Sequence, residues 1–149
     1  MKFITILIIM LGSFIAQAHK YETDTMIVDH PWMKVINNNG AGYFKIKNIG
    51  EDNIHLLEVI SDSVNKIELH TIIMEDGVSK MRPLKDGVII NVGDSIEFKA
   101  GGHHLMFFGI NKDLGEGELM EAIFKFKNSN DLTVKFKVES NKSSHNHDH

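Results

Sequence analysis

Two short stretches of this chain carry side chains whose types and spacing suit shared chemistry. The first runs through Glu68-Leu69-His70 and on to Met81-Arg82-Pro83; the second is Gly101-Gly102-His103-His104-Leu105-Met106. In an extended strand, residues two apart face the same side, so His104 and Met106 present an imidazole and a thioether together. Between His70 and Met81 lies Asp76-Gly77, a strong signal for a two-residue hairpin loop. A loop of that length pairs Glu75 with Val78 and sets Ile72 opposite Met81. His70 then becomes the diagonal, same-face neighbour of Met81. Met74 falls further along that face, opposite Ser79. The argument depends on register, because a one-residue slip sends every side chain to the other face.

Two imidazoles and two thioethers make an N2S2 donor set, and soft thioethers select Cu(I). Zn(II) ordinarily recruits a thiolate or carboxylate beside its histidines. The chain has no cysteine. That excludes a blue-copper centre, thiol redox work and cysteine zinc sites, and leaves methionine as the sulfur donor. Four neutral donors also suit a monovalent ion that must later be released. Each residue alone has an ordinary reading, a methionine as core filler and a histidine as a hydrogen-bonded surface group. His103 stands beside His104, but strand alternation and the His-x-Met spacing favour His104. His30-Pro31-Trp32 reads as structural, with Trp32 packed in the core, and His55 as incidental. His145, His147 and His149 alternate in a segment without apolar residues, which reads as a looser collector of Cu(II) on imidazole. His19, if it becomes the first residue of an exported chain, could chelate Cu(II) with its α-amine and ring. No nucleophile elbow, phosphate loop or His-Glu-x-x-His motif occurs, so an enzyme is not expected.

The elements that must position these residues are short alternating segments: 25–29, 42–48, 55–60, 66–73, 78–82, 88–91, 95–99, 103–109, 119–127 and 132–139. Turn residues separate them, notably Asn37-Asn38-Asn39-Gly40, Asp76-Gly77, Asp86-Gly87, Gly93-Asp94 and Gly101-Gly102. This spacing, with no helical period, predicts a single all-β domain, an antiparallel β-sandwich or barrel. Alternation is clearest near the end, where Met120, Ala122, Phe124 and Phe126 share a face, as do Leu132, Val134, Phe136 and Val138. Residues 1–18 read as a signal peptide: Lys2, an apolar run over 3–11, then Ala16-Gln17-Ala18. A membrane anchor is the alternative, but the run is short beside the roughly 20 residues a span needs. The expected organisation is a leader (1–18), a metal-binding domain (19–140) and a disordered His-rich tail (141–149). With 149 residues and a formal charge of −4, basic residues form no patch, which excludes nucleic-acid binding.

The same residues carry a family resemblance. His70, Met81, His104 and Met106 match the His-(x)10-Met…His-x-Met signature of the periplasmic copper chaperones called PCuAC. His30-Pro31-Trp32, the segment 41–48 (AGYFKIKN), Glu68-Leu69-His70, Asp76-Gly77-Val78, Met81-Arg82-Pro83 and 101–106 (GGHHLM) resemble family segments in family order. The resemblance covers about residues 25–138. It implies a cupredoxin-like β-sandwich and a monomer in the periplasm that binds Cu(I). It also implies delivery to the binuclear copper site of cytochrome c oxidase, beside a Sco-type thiol protein, and a tail that takes up further copper. Periplasmic copper storage or detoxification is the alternative. One departure is Ile72, where many relatives have methionine. Met74 and His103 are auxiliary candidates that the resemblance does not settle.

Overall fold

A computed structural model describes residues 19–140 and contains eleven strands. They are β1 (Lys20–Glu22), β2 (Met26–Ile36), β3 (Asn39–Asn48), β4 (Ile54–Ile60), β5 (Val64–Glu75), β6 (Val78–Pro83), β7 (Val88–Ile90), β8 (Ser95–Phe98), β9 (His104–Ile110), β10 (Leu119–Phe126) and β11 (Leu132–Val138). Residues 1–18 and 141–149, where a leader and a His-rich tail are expected, lie outside the described residues. Among the described residues no helix is long and apolar enough to cross a membrane.

The strands run in the order β6-β5-β9-β3-β2-β11-β10-β4-β7, with β1 added to β2 and β8 to β3. The sheet folds over so that β4 meets β5, giving the expected cupredoxin-like sandwich. One pairing departs from the antiparallel expectation: β11 and β2 are parallel, with Lys137 beside Trp32 and Val138 beside Met33. Alternation along each strand reports which face is buried, not the direction of the neighbour, so the sequence carried no signal for it.

The period-2 pattern explains the core. Met120, Ala122, Phe124, Val134 and Phe136 are fully buried from β10 and β11, opposite Leu105 and Phe107 of β9 and Phe44 of β3. Phe44 stacks on Phe98 with centroids 4.2 Å apart and meets the edge of Phe136 at 6.1 Å. Each buried ring contributes roughly 1.5–3 kcal/mol through apolar burial. Gly42 on β3 lets Phe107 lie against the backbone, since a Cβ there would stand 2.5 Å from the ring.

β2 runs further than expected, through His30-Pro31-Trp32. A bulge absorbs the proline: Asp29 pairs with Lys45 and Trp32 with Tyr43, so two residues face one. His30 adopts a positive φ of 46° at this point. The bulge shifts the alternation so that Pro31 and Met33 turn inward. The expectation that Trp32 packs in the core is therefore corrected. Its ring is half-buried on the outer face, 4.5 Å from Tyr43, with Lys34 at 5.7 Å.

Candidate metal site

The β5–β6 hairpin closes on Asp76-Gly77, with φ of 52° and 75°. Those paired positive values define the tight turn that the dipeptide favours. Glu75 therefore pairs with Val78, Ile72 with Met81 and Met74 with Ser79, the register read from the sequence. On its other side β5 pairs with β9, His70 directly opposite His104 and Glu68 opposite Met106. One outer face thus carries His70 and Glu68 from β5, His104 and Met106 from β9, and Met81 from β6. The intervening residues Leu69, Leu105 and Phe107 point into the core.

The two imidazoles sit edge to face, their centroids 5.6 Å apart. Although they lie on the outer face, His70 is only 8% exposed and His104 only 5%. His70 Nε2 lies 2.7 Å from Glu68 Oε2, and the other carboxylate oxygen, Oε1, meets Lys66 Nζ at 2.7 Å. The Lys66 ammonium, and after it the His70 N–H, hold the Glu68 carboxyl below the ordinary carboxylate value. His104 Nδ1 donates to the Gly102 carbonyl at 3.0 Å, so the Gly101-Gly102 turn orients that ring. His70 Nδ1 is buried with no hydrogen-bond partner. Leaving a buried acceptor unpaired costs about 1–3 kcal/mol, so this nitrogen, unpaired among the described residues, is a candidate donor to a ligand.

The methionines flank this pair. Met106 stands one step along β9 from His104 and diagonal to His70. Met81 stands one step the other way, on edge strand β6, and is 48% exposed. The β5–β9 ladder ends at His70, so residues 71–75 pair with β6 alone. The tip is therefore a two-stranded ribbon standing off the end of the sheet, with Ile73, Met74, Val78 and Met81 exposed. Glu75 ties it together through Lys80 at 2.6 Å and Arg82 at 2.9 Å.

The auxiliary candidates fall elsewhere. Met74 is two steps beyond His70, its sulfur 3.1 Å from the Ser79 hydroxyl. His103 turns to the core side, its ring 5.7 Å from Phe98. His55 accepts no special role; its Nε2 lies 2.6 Å from the Asp86 carbonyl. Among the described residues no three histidine or carboxylate side chains form a metal group, so a site here must count thioether sulfur. Sequence reasoning passed over Glu68; the i, i+2 spacing of Glu68 and His70 in one strand was the available signal.

A cupredoxin-like sandwich with a histidine pair between methionines on one face is the class of protein that fold and site define. The family model that matches is the LpqE-like lipoprotein model, over residues 26–138. The chain belongs to the LpqE-like family. A relative from Rickettsia prowazekii, the uncharacterized protein RP573, is 29% identical over 114 residues, 72% of this chain. The chain spans 63% of that relative's length. Among solved structures, the copper-bound PCuAC domain from PmoF2 matches with a TM-score of 0.68 at 18% identity, covering 82% of this chain and 98% of that one. The Cu(I) form of DR1885 from Deinococcus radiodurans matches with a TM-score of 0.56 at 19% identity, covering 85% and 83%. The fold is that of PCuAC domains, as the resemblance implied.

Proposed function

We propose that this protein is a copper chaperone that holds Cu(I) with His70, Met81, His104 and Met106. The observation that carries this reading is the buried histidine pair: one ring presents an unpaired nitrogen, the other has its opposite nitrogen engaged by Gly102, and thioethers flank both. The donor chemistry favours a soft monovalent ion. Met81 rides on a two-stranded ribbon on the same face as His70, one step diagonal to it. The solved structures with this fold include a copper-bound PCuAC domain and a Cu(I) form of DR1885, which supports copper as the ion. In this reading residues 1–18 export the chain to the periplasm and the protein acts as a monomer. It hands Cu(I) by ligand exchange to the binuclear copper site of cytochrome c oxidase, alongside a Sco-type thiol protein. It is a carrier and not an enzyme.

The test is a Cu(I) titration of residues 19–149 against a competing chelator. One tight equivalent is expected, lost when all four residues become alanine. A quadruple variant with wild-type affinity would remove the site assignment. The tail histidines favour a second reading, periplasmic storage or detoxification, with His145, His147 and His149 taking Cu(II). A deletion strain at low copper separates the two: lost oxidase activity supports delivery, whereas normal oxidase with copper sensitivity supports storage.

A further inference from the structure

Resting on the copper reading above, we propose that Glu68 is a positioning residue. It locks His70 in the Nε2–H tautomer, so that His70 meets copper through Nδ1 while His104 meets it through Nε2. The two ligand histidines would then use opposite ring nitrogens.

The inference follows from what each partner can do. An ionised carboxylate only accepts hydrogen bonds, so the 2.7 Å contact from His70 Nε2 to Glu68 Oε2 requires the proton on Nε2. A neutral imidazole has one N–H, which leaves the lone pair on Nδ1. That atom is buried without a partner among the described residues, as is Nδ1 of His103, on the core side beside Phe98. At His104 the acceptor is a backbone carbonyl, which also cannot donate, and it faces Nδ1 at 3.0 Å. The lone pair there belongs to Nε2. Glu68 is itself held: Lys66 takes Oε1 at 2.7 Å, and the Lys66 ammonium lies 4.9 Å from the Phe108 ring centroid. The carboxylate is thereby turned with Oε2 toward His70 and away from service as a ligand. A carboxylate behind a ligating histidine fixes its tautomer, orients the ring and raises its basicity. Here it would also place one negative charge behind a set of neutral donors that receives a cation.

The experiment records long-range 1H–15N correlations of the histidine rings in residues 19–149, copper-free and with one equivalent of Cu(I). The closed-shell ion leaves the spectra readable. Expected are a His70 Nε2–H and a His104 Nδ1–H without copper, and copper-induced shifts at His70 Nδ1 and His104 Nε2. A His70 proton on Nδ1, or a copper shift at His70 Nε2, overturns the proposal. In chelator competition, Glu68→Ala should weaken Cu(I) binding about 10–100-fold. Glu68→Gln keeps an acceptor oxygen and should recover most of that loss. Copper bound tightly by wild type and equally by Glu68→Ala would sink this inference alone. No Cu(I) uptake by wild type would sink the copper reading and this inference with it. The wild-type spectra decide the matter even where the alanine variant fails to fold.

Discussion

Burial separates the four proposed ligands into two kinds. His70 and His104 are enclosed and pre-oriented, whereas Met81 is exposed on an edge strand and free to engage late. Removal of either histidine should cost more Cu(I) affinity than the about 10–100-fold expected of the supporting Glu68. His104→Ala checks this by chelator competition; a loss smaller than that of Glu68→Ala would contradict it. Met81→Ala should cost less than His104→Ala and act chiefly on the release rate, measured by stopped-flow transfer to a chelator. His103→Ala should leave Cu(I) affinity unchanged, because that ring packs on Phe98 away from the site.

The β5–β6 ribbon is the element that joins the two ligand clusters. Inserting one residue between Asp76 and Gly77 changes the loop length and turns β6 over. Cu(I) affinity should then fall to that of Met81→Ala, with the unfolding midpoint little changed, since the ribbon contributes no fully buried core residue. The ribbon should also respond to acid. Lys80 first, and Arg82 with it, depress the Glu75 carboxyl below its ordinary 4.5. A depressed carboxylate contributes stability that is complete above the unfolded value and is lost as pH falls through the folded one. Amide exchange in residues 71–82 should therefore rise, relative to the sandwich core, as pH drops below about 4.5, and added salt should lessen the difference.

Across the whole molecule, the buried core and the proposed copper site lie on opposite sides of the same strands. Leu69, Leu105 and Phe107 face the core while their neighbours His70, His104 and Met106 face the site. Phe136→Ala should destabilise the fold by about 3–5 kcal/mol, and Gly42→Ala by about 1–3 kcal/mol through its clash with Phe107. Denaturant unfolding measures both. Each variant that remains folded should still bind one Cu(I), because Phe136 is buried in the core and Gly42 packs against Phe107, on the side of the strands opposite the proposed ligands.

The amino-acid sequence alone determined a good deal. Period-2 alternation marked ten of the eleven strands, and Asp76-Gly77 set the hairpin register that places Met81 against Ile72. His-x-Met in a strand put His104 and Met106 on one face, and the lack of cysteine left thioether as the soft donor. These signals are local: turn chemistry and alternation act over a few residues. The tertiary structure alone decided what depends on distant partners. It set His70 opposite His104, 34 positions on in sequence, and ran β11 parallel to β2. It drew Trp32 out of the core by a bulge that a proline demanded. It also set the Glu68 carboxylate against His70 Nε2 and left His70 Nδ1 bare, an arrangement that the i, i+2 spacing allowed but burial decided.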